Sequence, residues 1–137
     1  DGSILGVDKN SGVPFYTLDD QTEYHFCIRH RNHLDILTST AIVAQELMYY
    51  DFTNSANKAF GAEQLKSMDD GYYVLYAGDF NQDGVIQTTD YDIWQSEPAI
   101  NNTYSATDAN LDGVVQATDF DAWFPNKAKV GSIEIGF

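Results

Sequence analysis

The chain has 137 residues, of which 43% are hydrophobic and 14% aromatic, and this composition predicts a packed core in one ordinary domain or two small ones. Disorder, collagen and coiled coil are poor interpretations, because apolar residues are plentiful and the chain has only 10 Gly and 3 Pro. The 21 acidic and 7 basic residues give a net charge of −14, which repels nucleic acid and anionic lipid and favours a cation as partner.

Targeting and redox signals are sparse. No run of 18 apolar residues occurs, so we expect no membrane insertion. Because the chain opens on Asp1 rather than Met, we expect a mature fragment of a longer precursor, located outside the cell or on its surface. Cys27 is the single cysteine, which excludes an internal disulfide, and its apolar neighbours predict a small buried core residue.

The N-terminal part of the chain, 1–77, has the pattern of a β-sandwich. Short segments rich in β-branched and aromatic residues, separated by Gly, Asn, Asp or Ser, predict strands over 4–7, 13–18, 23–30, 34–38, 46–52 and 72–76. A short helix or turn is expected over 55–60, where Asn54 or Ser55 could cap it and Gly61 could end it. The fold is therefore expected to be mainly β with a small α part.

From residue 78 the chain contains an internal repeat. The segment GDFNQDGVIQTTDYDIW (78–94) recurs as TDANLDGVVQATDFDAW (107–123), with an offset of 29 and ten identical residues in 17 positions. This similarity indicates a duplicated structural unit rather than an accident of composition. A linker is expected over 97–105, and after the second copy the pair Pro125-Asn126 is expected to end a helix before a last strand over 130–137.

Each copy has the spacing of a calcium loop, with oxygen-bearing side chains at positions 1, 3, 5, 9 and 12 and Gly at position 6. Alternate residues of such a tight loop point inward together, and Ca²⁺ takes six to eight hard oxygen ligands. Two Ca²⁺ ions are therefore predicted. The expected ligands, including the backbone carbonyl of position 7, are Asp79, Asn81, Asp83, Val85, Gln87 and Asp90 in the first copy, and Asp108, Asn110, Asp112, Val114, Gln116 and Asp119 in the second.

A solvated turn is the alternative interpretation of one such cluster, but two copies in register favour calcium. The two ions would change the net charge from −14 to −10. They would bind in the repeats, whose eight Asp side chains are where repulsion is expected to be strongest. Each loop is expected to enter a short helix capped by Thr89-x-x-Asp92 or Thr118-x-x-Asp121, which assigns these aspartates to capping rather than metal binding. No helix is expected before either loop.

Residues 78–124 resemble the dockerin family, whose members carry two calcium loops with D-x-N-x-D-G spacing and Asp at position 12. The resemblance implies two Ca²⁺ ions. It also implies a cohesin-like protein partner, which dockerins bind mainly through loop positions 10 and 11 and the following helix. Those positions are 88–89 and 117–118 here. The linker and the strand after the second helix depart from the family's pattern.

The upstream part has a resemblance of its own. The stretch YHFCIRHRNHL, followed by YYDFT and by GYYVLYAGDFNQDG, is similar to a C-terminal region of large secreted Bacteroidota surface proteins. That resemblance implies an Ig-like β-sandwich over 1–77, dockerin-like repeats over 78–124 and a C-terminal strand over 125–137. Relatives of this kind have one or more strands before the residues seen here, so the sandwich is expected to lack a strand.

A sandwich that lacks a strand leaves backbone groups unpaired and core side chains open to water. The apolar residues of the last strand, Val130, Ile133, Ile135 and Phe137, could fill that groove. Two alternatives are open at this point. The strand completes its own sandwich, or it enters the next copy and builds a head-to-tail filament.

Other candidate sites are weaker. His30 and His33 could bind zinc or copper, but no third ligand at a recognisable spacing accompanies them, and a structural role in a strand and turn is favoured. Aromatic residues after each loop are expected to pack in the core rather than form a sugar-binding platform: Tyr91 and Trp94 in one copy, and Phe120, Trp123 and Phe124 in the other.

No hydrolase, P-loop or catalytic-cysteine motif occurs, so the chain is not expected to be an enzyme. Two functions remain. The first is a non-catalytic, calcium-binding extracellular module for assembly, with a protein partner that could be another copy of the chain. The second is a dockerin-like targeting or carbohydrate-binding module appended to a secreted enzyme, which keeps a glycan partner open.

Overall fold

The computed structural model describes residues 12–15, 18–97, 99 and 104–132. Within them the fold is mainly β, with short antiparallel strands and two helices. The strands are β1 (Glu23–Tyr24), β2 (Cys27–His30), β3 (His33–Leu37), β4 (Ile42–Val43), β5 (Lys66–Ser67) and β6 (Tyr73–Val74). The helices are α1 (Thr88–Ser96) and α2 (Ala117–Trp123), and short 3-10 helices span Ala56–Lys58 and Phe124–Asn126.

The strands pair as β1 with β4, β2 with β3 and β5 with β6, all antiparallel. The longest pair is the β2–β3 hairpin, in which Ile28 lies opposite Ile36 and His30 lies opposite His33. The register shifts between Ile28 and His30. The tight turn of this hairpin, Arg31 and Asn32, points toward the repeats, as described below.

The predicted strands are confirmed in part. Segment 23–30 forms β1 and β2, segment 34–38 forms β3, and segment 72–76 contains β6. The prediction of a strand over 46–52 is wrong. Side-chain hydrogen bonds, rather than pairing with another strand, fix this segment: the Tyr50 hydroxyl donates to the Lys58 carbonyl (2.5 Å), and Asp51 accepts from the Thr53 amide (2.8 Å). Segment 4–7 lies outside the described residues, and the described residues of 13–18 form no strand. Segment 55–60 contains one 3-10 turn, in which the Asn57 amide donates to Ser55 Oγ (3.3 Å).

The prediction that Cys27 is buried is wrong, since its side chain is exposed. Successive residues of a strand face opposite sides, and in β2 the inward positions belong to Ile28 and His30. Ile28 packs against the cluster formed by Ile36, Ala59 and Leu65. Cys27 therefore faces solvent because its neighbour takes the core position.

The larger hydrophobic cluster joins the strand-rich part to the repeats. Its buried members come from both sides of the expected boundary at residue 77: Leu34, Tyr76 and Ala77 before it, and Phe80, Ile86, Ala109 and Trp123 after it. Leu34 and Ile86 are 1% and 0% exposed. Tyr91, Trp94 and Phe120 pack against this cluster, as expected of core aromatic residues. The two parts of the chain thus share one core.

Gly78 is the point at which the chain passes from the strands into the first loop. Its amide donates to the Asn32 carbonyl (2.7 Å), and its φ of +124° lies in a region that favours glycine. A Cβ built on this residue would lie 2.6 Å from Trp123 Cδ1. Backbone conformation and contact with the indole ring both require glycine here.

The segment after α2 folds back onto the first loop of its own chain. Ile86 donates to the Lys129 carbonyl (2.9 Å) and accepts from the Ala128 amide (2.8 Å), and Val130 forms an antiparallel bridge with Val85. Ser132 donates to the Asp35 carbonyl of β3 (3.2 Å) and is fully buried. Residues 133–137 of the predicted last strand lie outside the described residues.

Candidate calcium sites

The first loop is held by carboxylates that accept hydrogen bonds from its own backbone. The two oxygens of Asp79, at position 1, accept from the amides of Asp83 and Gly84, each at 3.1 Å. Asn81 Oδ1 accepts from the Asp83 amide (3.0 Å), and Asp83 Oδ1 accepts from the Val85 amide (3.0 Å). Positions 1, 3 and 5 are therefore turned toward the inside of the same tight loop.

Asp90, at position 12, closes the loop. Its Oδ1 accepts from the amides of Phe80 (2.8 Å) and Asn81 (3.2 Å), and its Oδ2 accepts from the Gln87 amide (2.9 Å). The side chain is 0% exposed. A single carboxylate thus connects the entry of the loop to the start of α1.

The second loop repeats this network bond for bond. Asp108 accepts from the amides of Asp112 and Gly113, both at 3.1 Å, and Asp112 accepts from the Val114 amide. Asp119 accepts from three amides, those of Ala109 (2.8 Å), Asn110 (3.2 Å) and Gln116 (2.8 Å). The two copies of the repeat have therefore folded into one geometry.

The helix caps differ from the sequence prediction. The N-cap residues are Gln87 and Gln116, and the backbone amide of each donates to the Asp of position 12, at 2.9 and 2.8 Å. The N-caps thus lie two residues before the predicted Thr caps, because the position-12 carboxylate already accepts from the amide of Gln87 or Gln116. Asp92 and Asp121 are exposed on the helices instead. This corrects their assignment as caps.

Each loop contains two residues with left-handed backbone conformation, of which the sequence pattern predicts only the glycine. Gly84 and Gly113 have φ of +84°, as the Gly of position 6 predicts. Position 4 is left-handed as well, with φ of +58° at Gln82 and +63° at Leu111. Neither residue type favours this conformation, so no sequence signal could have identified it.

Burial changes the acidity of the first loop. It raises the pKa of Asp79 to about 6, and the nearby charges of Asp90 and Asp83 contribute to this rise. Burial also raises the pKa of Asp90. At Asp83, on the rim, burial acts in the same direction, but the accepted hydrogen bonds, the one from Asn81 first among them, lower its pKa. Ionising the buried pair therefore costs free energy that a bound cation would offset.

The donor chemistry of both loops fits Ca²⁺. Each combines three carboxylates, two amide side chains and a backbone carbonyl, all of them hard oxygen donors. Within the described ranges, no group of three His, Cys, Asp or Glu side chains is arranged to hold a metal ion. The inner carboxylates bond backbone amides instead, and calcium would compete with those donors. The twelve ligands stay a prediction.

His30 and His33 face each other across the hairpin, with their Nδ1 atoms 3.0 Å apart. Asn32 Oδ1 lies 2.8 Å from His33 Nδ1. Burial, together with the charges of His30 and Arg31, lowers the pKa of His33 to about 4, so this imidazole is neutral at physiological pH. The pair lies at the facing ends of β2 and β3, which agrees with the strand-and-turn role favoured for it.

Searches of protein-family models, of curated proteins and of solved structures found no match to this chain. No helix in the part of the chain that the structure describes is long and apolar enough to cross a membrane.

Calcium affinity of the first loop is expected to fall about tenfold between pH 7 and pH 5. With the pKa of Asp79 at about 6, roughly a tenth of this carboxyl is ionised at pH 5, so the ion must displace a proton. The raised pKa also means that the ion-free fold loses stability as pH rises from about 4 through 6. Calorimetric titration of Asp112→Ala with CaCl₂, which isolates the first loop, measures the calcium affinity at each pH. Equal affinities at pH 7 and pH 5 would contradict the expected tenfold fall.

Proposed function

We propose that this chain is a non-catalytic, calcium-binding structural module of a secreted or cell-surface protein. In this proposal an Ig-like β-sandwich carries a dockerin-like pair of loop-helix units, each of which binds one Ca²⁺. The observation that carries the proposal is the same hydrogen-bond network, formed twice by aspartates at positions 1, 5 and 12.

Burial supports this function. Asp79, Asp90, Asp108 and Asp119 are at most 3% exposed, in a chain whose net charge is −14. Buried carboxylates are costly without compensating charge, and two Ca²⁺ ions would supply four positive charges where these side chains meet. The hydrophobic core shared by both parts of the chain supports a structural role, because such a role requires a stable fold.

Assembly is the proposed use of the module, with a second copy of the chain or a cohesin-like domain as partner. The last strand is the element proposed to add to a sandwich, either its own or a neighbour's. Ser132 bonds Asp35 and Gln64 of its own strand-rich part, and this placement supports completion within the chain over donation to another copy.

The alternative function is a targeting or carbohydrate-binding module of a secreted enzyme. Among the aromatic residues of the two repeats, Phe124 favours it, since this residue is 50% exposed. One face of the Phe124 ring is covered by Lys127 Nζ, which lies 3.8 Å from the ring centroid. Its neighbours Trp94 and Phe120 pack against the core, however, which leaves little flat aromatic surface for a sugar ring.

Calorimetric titration with CaCl₂ tests the proposed function. The parent chain is expected to bind two ions, and Asp83→Ala and Asp112→Ala are each expected to bind one, because each removes the central carboxylate of one loop. Asp92→Ala, an exposed aspartate in the first repeat, is the matched control and should still bind two. A stoichiometry of zero or one for the parent chain would overturn the proposal.

A further inference from the structure

The tip of the β2–β3 hairpin places a cation against the second loop. Arg31 Nη2 lies 3.6 Å from Asp108 Oδ2, although the two residues are far apart in sequence. Both side chains are largely buried, with 18% of Arg31 and 2% of Asp108 exposed. An ion pair this shielded from water interacts more strongly than one on the surface.

Other bonds fix this contact. Arg31 Nε donates to the Ser105 carbonyl (3.0 Å), and its guanidinium lies 3.9 Å from the ring centroid of Tyr104. The neighbouring Asn32 donates from Nδ2 to the Asp108 carbonyl. The guanidinium therefore has little freedom to leave Asp108 without giving up its contacts to the linker.

The first loop differs from the second in this respect. Among the described residues, no Lys or Arg forms an ion pair with Asp79, the residue that corresponds to Asp108. The hairpin contacts that loop through a neutral bond, from Gln82 Nε2 to the His30 carbonyl (3.4 Å). The three carboxylates of each loop carry the same formal charge, but within the described ranges a Lys or Arg forms an ion pair with a loop carboxylate only in the second loop, at Asp108.

We propose that Arg31 is a built-in counter-cation that makes the second calcium site the weaker of the two. This inference rests on the proposed binding of two Ca²⁺ ions. A cation in contact with Asp108 repels any further cation that this carboxylate binds, and it stabilises the ion-free loop, so both effects lower calcium affinity. The first loop then fills at lower calcium concentration and the second at higher.

Coupling between the hairpin and the second site follows from reciprocity. If Arg31 weakens calcium binding, calcium must weaken the contacts of Arg31 by the same factor. Filling the second site then loosens the hold of the hairpin tip on Tyr104 and Ser105. The contact between the hairpin tip and the linker would thus weaken only at calcium concentrations higher than those that fill the first loop.

The test measures each site alone in the 137-residue chain, with Asp83→Ala isolating the second loop and Asp112→Ala the first. Adding Arg31→Met is expected to tighten calcium binding at the second loop about tenfold and to change the first less than twofold. Arg31→Lys retains the charge and should leave the second loop weak. Arg29→Met is the matched control, because that side chain is 72% exposed and pairs with Asp35 on β3.

Thermal unfolding provides a second measurement. Arg31→Met leaves Asp108 without its partner, so it should lower the melting temperature more in EDTA than in CaCl₂. If Arg31 only supported the fold, the substitution would lower the melting temperature equally in the two conditions. An unchanged or weakened second site in Arg31→Met, or equal tightening of both sites, overturns the inference. A parent chain that binds no calcium at all overturns the proposed function instead, which separates the two failures.

Discussion

Removal of calcium with EDTA is expected to lower the melting temperature of the chain by roughly 20 °C. At a calcium concentration a thousand times Kd, each bound ion stabilises the folded state by about 4 kcal/mol, so two ions contribute about 8 kcal/mol. Without them, the buried carboxylates of Asp79 and Asp90 repel each other in one loop, and Asp108 and Asp119 are buried in the other. Their repulsion acts on the folded state alone.

Differential scanning calorimetry in excess CaCl₂ or excess EDTA measures this effect. Asp83→Ala should lose about half of the calcium-dependent shift, because one of the two sites remains. Asp92→Ala removes another exposed aspartate of the same repeat without touching the loop network, and it should retain the full shift. A shift below about 2 °C in the parent chain would contradict the prediction, since it corresponds to less than about 1 kcal/mol.

The destabilising effect of calcium removal should not be confined to the repeats. Leu34 and Tyr76 of the strand-rich part share a cluster with Ile86 and Trp123 of the repeats, so melting of the loops exposes core residues on both sides. Ile86 also bonds the segment after α2 through both its amide and its carbonyl. The proposal therefore favours one cooperative transition over two separate ones.

The repeats could be predicted from the sequence because their geometry is local. Every bond of Asp90 joins it to residues at most ten positions away, and the same spacing recurs around Asp119. An internal repeat doubles such a signal, since both copies must satisfy the same loop. The helices followed from the loops, and only their caps were placed two residues late.

The remainder of the fold depends on contacts that leave no local pattern. The two-residue strand β5 gives too short a stretch for alternation to be visible, and the aromatic segment 46–52 fits a strand pattern while its Tyr50 and Asp51 side chains bond elsewhere. The contact of Arg31 with Asp108 joins distant parts of the chain, so nothing near either residue in sequence indicates it.

Ending the chain at Lys129 is expected to destabilise it by about 3 kcal/mol, since each hydrogen bond that is lost contributes about 1 kcal/mol. The truncation keeps the bonds that Ile86 makes with Ala128 and Lys129 but removes three others: Gly131 amide to Gly84 carbonyl (2.8 Å), Ser132 amide to Asp35 carbonyl (3.2 Å) and Ser132 Oγ to Gln64 Oε1 (3.3 Å). Urea denaturation at several protein concentrations measures the loss.

A second truncation, after Ser132, isolates the contribution of residues 133–137. If the apolar side chains of this segment complete the sandwich of their own chain, this shorter truncation also lowers stability, at every protein concentration, and the parent chain sediments as a monomer. If they enter a neighbouring copy, the parent chain forms polymers at high concentration and both truncations abolish them. The last strand would be shown to complete nothing if the chain ending at Ser132 kept the stability and the oligomeric state of the parent, because a strand that fills an open groove cannot be removed without exposing apolar core and unpaired backbone to water.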